Sequence, residues 1–126
     1  GADFKSLEGQ TIQNKDLTTI SKTPHSYGFC SDTAFVEENI EKLKGVTLLY
    51  HEATFMKELE EKAQQTGHST TIDAATMAKK ATVKKLVIGH FSTRYKSLGD
   101  LLSEAKSVFK NTELATDGIT FDFDAI

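Results

Sequence analysis

The hydrophobic and polar positions follow two different periods from Tyr27 onward. Three short apolar runs, Tyr27–Cys30, Val46–Tyr50 and Val83–Gly89, have the length and composition of strands. The last is uniformly apolar after Lys85, which predicts a strand covered on both faces. Helical stripes lie between and after them. Val36, Ile40 and Leu43 recur at helix spacing and stop at Gly45; Phe55, Leu59 and Ala63 form a second stripe that stops near Gly67. A third helix is predicted from about Thr71 to Ala81, where Ala74, Ala75, Ala78 and Ala81 permit close packing. A fourth starts at Ser97, with Asp100 placed for a capping box, and carries Leu98, Leu101, Leu102, Ala105, Val108 and Phe109. Asp117-Gly118 predicts a turn, and the alternation Ile119-Thr-Phe-Asp-Phe123 a terminal strand. Residues 1–26 are polar and weakly periodic, with room for a short strand or two and a loop around Pro24.

Strands alternating with helices imply a mostly parallel sheet with helices packed on it. With about four good strands, helices on one face would leave the other apolar face in need of a partner. At 126 residues the chain supports one core. No apolar run approaches the roughly 20 residues of a membrane span, so no membrane association is expected. The lone cysteine, Cys30, cannot belong to a disulfide framework and suggests a reducing, cytoplasmic compartment. The net charge of −3 argues against nucleic-acid binding, but it conceals an asymmetry. Glutamates crowd the stretch from Glu37 to Glu61, whereas Lys79, Lys80, Lys84, Lys85, Arg94 and Lys96 lie together without an acid among them. Such a basic face beside a catalytic edge would guide a polyanion; alternatively it is a solvated helix end and loop.

Each strand-like run leads into a residue that can bind a metal or move a proton: Asp32, the pair His51-Glu52, and His90. In open α/β sheets the carboxyl ends of the strands line one edge, where ligands bind. Each residue also has a plainer reading. Asp32 or Thr33 would cap a helix, Thr54 would do the same with Glu52 favouring the helix dipole, and His90 would simply be hydrogen-bonded at the core. Extended neighbours such as His51 and Glu52 point to opposite sides, so one of them faces any given site. His68-Ser69-Thr70 sits between two helices and leaves the same edge. The sequence contains no His-x-His, Cys-x-x-Cys or His-x-x-x-His, so a metal centre built here would be only partly supplied.

Five blocks, Tyr27-Gly-Phe-Cys-Ser-Asp-Thr33, Leu48-Leu-Tyr-His-Glu-Ala-Thr-Phe55, Gly67-His-Ser-Thr70, Gly89-His-Phe-Ser-Thr-Arg-Tyr95 and Ala115-Thr-Asp-Gly118, resemble ribonuclease Z in order and spacing. That family comprises tRNA 3′-end processing endonucleases of the metallo-β-lactamase superfamily. The resemblance implies that residues 1–126 form the carboxyl-terminal half of the domain. The expected fold is one half of an αββα sandwich, α/β, with a sheet of about four to six strands and helices on one face. The expected activity is a zinc-dependent endoribonuclease, a phosphodiester hydrolase, removing 3′ trailers from precursor tRNA. By resemblance Asp32 bridges two zinc ions, His90 binds one of them, His68 donates a proton to the leaving group and Glu52 orients it. Ser92, Thr93 and Arg94 would meet RNA phosphates, and His51 would support the site from behind. The family's His-x-His-x-Asp-His motif is not found in this sequence. The expectation is therefore a fragment inactive alone, which needs an amino-terminal half or self-association through the bare sheet face; the full-length family implies a homodimer. Two alternatives stay open: another metallo-β-lactamase-fold hydrolase, or a non-catalytic half-fold interaction module.

Overall fold

Parallel pairing between short apolar strands organises the molecule, seen here in a computed structural model whose described residues are 24–126. The strands are β1 (Tyr27–Cys30), β2 (Leu48–Glu52), β3 (Lys85–Gly89) and β4 (Thr112–Leu114), in the spatial order β1-β2-β3-β4. All neighbouring pairs are parallel. The helices are α1 (Asn39–Lys42), α2 (Glu60–Thr66), α3 (Thr71–Lys80) and α4 (Leu98–Lys106), with 3₁₀ turns at Lys57–Leu59 and Phe123–Ala125. The elements expected within residues 1–23 lie outside the described residues.

Register sorts the strand side chains onto two faces. Leu49, Leu86 and Ile88 join the alanines of α3, Met77, Leu43 and Ala105 in the buried core. The alanine row therefore lets α3 approach the sheet closely. β3 is buried on both faces, as its apolar run requires. Tyr27, Phe29, Leu48, Tyr50 and Val87 belong to the opposite alternation. There Tyr27 and Phe29 remain 54% and 62% exposed, and Phe29 stacks on Tyr50 with ring centroids 4.8 Å apart.

Several elements differ from the periodicity. β2 runs two residues further than expected, so His51 and Glu52 lie inside a strand. Phe55 is not helical; it forms a parallel bridge with Thr70. No strand forms at Ile119–Phe123. After the turn at Gly118 (φ 83°), Ile119 and Phe121 instead lie with Tyr27, Leu48, Tyr50 and Val87 around a groove of ≈ 230 Å³ on the second sheet face. The sheet face expected to be bare is thus partly roofed by the chain's own tail. Ile119 and Phe121, two residues apart, line the same groove, so the tail carries a strand-like alternation without pairing. Ser97 makes no side-chain cap, whereas Thr70 and Asp73 form a reciprocal capping box at the start of α3.

The basic cluster also divides. Lys79 and Lys80 end α3, Lys84 precedes β3 and Lys85 begins it, while His90 follows the far end of that strand, about 17 Å from Lys85 at the usual rise. Only Arg94 and Lys96 follow His90 on the loop leaving the site edge.

Gly89 is required where it stands: a Cβ there would lie 2.6 Å from the Tyr50 hydroxyl oxygen and 2.9–3.0 Å from its ring carbons. Gly89→Ala should destabilise the chain by about 1–3 kcal/mol through overpacking. Urea unfolding in a Gly89→Ala/Tyr50→Ala double-mutant cycle checks this, since most of the cost should disappear when Tyr50 is truncated.

Candidate metal and proton-transfer site

Two strands end in the same unusual way. Asp32, two residues past β1, and His90, immediately past β3, have φ of 51° and 62°. Left-handed backbone is uncommon outside glycine, although Asp and His enter it more readily than most residues. Asp32 does not cap a helix, because α1 begins only at Asn39. Its carboxylate lies exposed, with Oδ1 3.9 Å from His90 Nε2.

Glu52 forms the buried floor. Beyond β2 the chain stays extended, with Thr54 N–H donating to the Ser69 carbonyl at 3.0 Å and Thr71 N–H to the Phe55 carbonyl at 2.9 Å. This short parallel pairing returns the segment after α2 to the end of β2 and sets His68-Ser69-Thr70 beside Glu52. The Glu52 carboxylate, 0% exposed, accepts four groups. Thr33 N–H reaches Oε1 at 2.8 Å, Ser69 N–H reaches Oε2 at 3.0 Å, and the Thr54 hydroxyl donates to Oε2 at 2.6 Å. His68 Nδ1 lies 2.9 and 3.0 Å from the two oxygens. Burial pushes the Glu52 carboxyl upward, but the bonds from Thr54, Ser69, His68 and Thr33 outweigh it and hold the group below the ordinary glutamate value. Glu52 is therefore an anion at neutral pH.

His90 enters the same network. Its Nδ1 is 3.1 Å from Thr54 Oγ1, and its ring stacks on that of His68 with centroids 5.4 Å apart. One ligand atom from each of Asp32, Glu52, His68 and His90 lies within 4.8 Å of the others. His51 is not in this group. It points to the helix side, 1% exposed, with Nδ1 2.9 Å from the Glu52 carbonyl oxygen. Burial lowers its imidazole value, only partly offset by that carbonyl and by the Glu52 and Asp73 charges, so it stays neutral. Ser92, Thr93 and Arg94 lie on the loop after His90, anchored by Ser92 N–H donating to the Thr54 carbonyl at 2.9 Å. The Arg94 guanidinium sits 5.7 Å from the Phe55 ring centroid.

The donor set suits a borderline cation such as zinc, with carboxylate oxygen and imidazole nitrogen as its usual partners. Asp32 and the Nε2 atoms of His68 and His90 are open to it, and the 3.9 Å between Asp32 and His90 is near the span of two ligands about 2 Å from a shared ion. Glu52 is not, because its acceptor positions are already filled by donors. Sequence reasoning missed Thr33, Thr54 and Ser69. Each stands inside a block already singled out, but two of them act on Glu52 through backbone N–H groups, which no residue type announces.

No family model matches the chain. Among curated proteins, the ribonuclease Z of Porphyromonas gingivalis is 46% identical over 122 residues, 97% of this chain. The chain is a relative of ribonuclease Z. It spans 40% of the length of that protein. The crystal structure of human tRNase Z, short form, superimposes with a TM-score of 0.55 at 32% identity, covering 70% of this chain and 29% of that one. The Bacillus subtilis metallo-β-lactamase fold protein YhfI matches with a TM-score of 0.73 at 23% identity over 78% of this chain and 40% of that one. The fold of the chain is thus that of metallo-β-lactamase proteins, and its likeness to ribonuclease Z covers the whole candidate site.

With the Glu52 carboxyl depressed, its ionised form stabilises the native state fully above the unfolded value of about 4.3, and this contribution is lost as pH falls through the lower folded value. Glu52→Gln, which turns an acceptor into a donor against Thr33 or Ser69, should cost about 1–3 kcal/mol at neutral pH and flatten that acid limb. Urea unfolding across a pH series measures both; a Gln variant as stable as the parent at neutral pH would refute the buried-anion account.

Proposed function

We propose that this chain supplies the proton-donating side and one part of the metal-binding side of a zinc-dependent, ribonuclease Z-type endoribonuclease that removes 3′ trailers from precursor tRNA. The observation that carries it is the meeting of Asp32, Glu52, His68 and His90 within 4.8 Å, in a chain 46% identical to a ribonuclease Z. Bound zinc would supply a water of lowered pKa and stabilise charge developing on the scissile phosphate.

The chain's own residues divide the remaining work. Asp32, whose two oxygens are not taken up by the network around Glu52, and His90, through the Nε2 beside it, would hold the metal. Glu52 holds His68 through Nδ1, which turns Nε2 outward, where the ring would hand a proton to the departing 3′ oxygen. Ser92, Thr93 and Arg94 meet RNA phosphates, Arg94 through its paired donors. His51 packs behind Glu52 and holds the end of β2 in place.

Asp32 and His90 are too few to complete two four-coordinate ions, so the remaining ligands come from polypeptide bearing a His-x-His-x-Asp-His motif, and the isolated chain is inactive. The same polypeptide, or a second copy in a homodimer, covers the exposed aromatic row of Tyr27 and Phe29. The setting is cytoplasmic; among the described residues no helix is long and apolar enough to cross a membrane.

Mixed with such a polypeptide, the chain should cut a precursor tRNA at its 3′ end in a chelator-sensitive reaction. His68→Ala should slow cutting by about 10²–10⁴-fold, the usual scale for losing a general acid. Unchanged cleavage by His68→Ala, or by Asp32→Ala, would overturn the assignment.

A further inference from the structure

The roles above leave unexplained why the Thr54 hydroxyl, 7% exposed as a residue, sits between a carboxylate and two histidines. A threonine hydroxyl has one proton and can also accept. At 2.6 Å from Glu52 Oε2, an acceptor only, that proton is committed to the carboxylate. Thr54 Oγ1 therefore faces His90 Nδ1, 3.1 Å away, with lone pairs alone. The bond exists only if His90 carries its proton on Nδ1.

The same count settles His68. Glu52 has about four acceptor positions, and Thr33 N–H, Ser69 N–H and Thr54 O–H occupy three. His68 Nδ1 must donate to the fourth. Its 3.4 Å separation from Thr54 Oγ1 is too long to compete.

We infer that Thr54 is a positioning residue that relays the Glu52 charge to His90, locking that imidazole in its Nδ1–H tautomer so that Nε2 stands bare toward Asp32. One buried carboxylate thereby sets the tautomers of both histidines: His68 directly and His90 through a hydroxyl. The usefulness of a bare Nε2 for holding a cation rests on the proposed function, but the tautomer itself does not. Partners of this kind commonly orient histidine ligands, here with a threonine placed between the acid and the ring.

The test is ¹H–¹⁵N correlation of the imidazole nitrogens in the metal-free full chain at about pH 8.5, some two units above the ordinary histidine value. Both His68 and His90 should show a protonated Nδ1 and an unprotonated Nε2. Thr54→Val, similar in shape but without a hydroxyl, should move His90 Nδ1 downfield and Nε2 upfield, toward the Nε2–H form, while His68 stays on Glu52. Thr54→Ser should restore the parent pattern. His90 with a protonated Nε2 in the parent chain overturns the inference before any variant is made. So does a His90 spectrum unaltered in Thr54→Val, or a Ser variant that behaves like Val. Because no metal or RNA enters the measurement, its failure is separate from failure of tRNA cleavage.

Discussion

A buried carboxylate is tolerated only where donors replace the water it gave up, and much of the candidate site follows from meeting that demand at Glu52. Desolvating an ion costs several kcal/mol, and a hydrogen bond to a charged group returns about 1.5–3 kcal/mol. Four donors from three segments converge on it: Thr33 after β1, Thr54 after β2, and His68 and Ser69 before α3. The loops at the sheet edge are held together by a shared anion as well as by packing. Removing the charge would loosen the segment that carries Asp32 and Thr33, and Thr54, on which His90 rests.

Backbone geometry makes this convergence possible. Parallel strands end at one edge, and β1, β2 and β3 lie side by side, so Cys30, His51 and Ile88 are level with one another across the sheet. Left-handed turns at Asp32 and His90 then direct the chain past the strand ends at the two flanking positions. The extended segment after Glu52 pairs with the segment after α2, bringing a histidine from a separate loop onto the carboxylate. The sheet face away from the helices is only partly roofed by Ile119 and Phe121, which leaves Tyr27 and Phe29 exposed.

Much of this was legible in the residues. Continuous apolar runs with helical stripes between them specify a parallel α/β layer, because both periods are local properties of the chain. The residues that follow the runs, Asp32, Glu52 and His90, were legible because a parallel sheet must gather its strand ends. His68 followed from its block and from the resemblance. Thr54 and Ser69 were not legible, since a hydroxyl and a peptide N–H become specific only when a distant carboxylate is brought to them. The capping box expected at Ser97 does not form there, whereas Thr70 and Asp73 form one at the start of α3.

The amino-acid sequence by itself determined the class of fold, the order of its first three strands and four helices, and the side chains available for chemistry at one edge, because these depend on periodicity and on residue type over a few positions; β4 at Thr112–Leu114 was not among them. Only the tertiary structure decided that Glu52 is a saturated buried anion rather than a ligand, that Thr54 joins it to His90, and that the tail lies on the sheet instead of extending it. Apart from the neighbouring Thr54, those outcomes depend on which donors and apolar surfaces meet across 16 or more residues of intervening chain, and pairings at that range are fixed by the packed sheet and not by any local pattern.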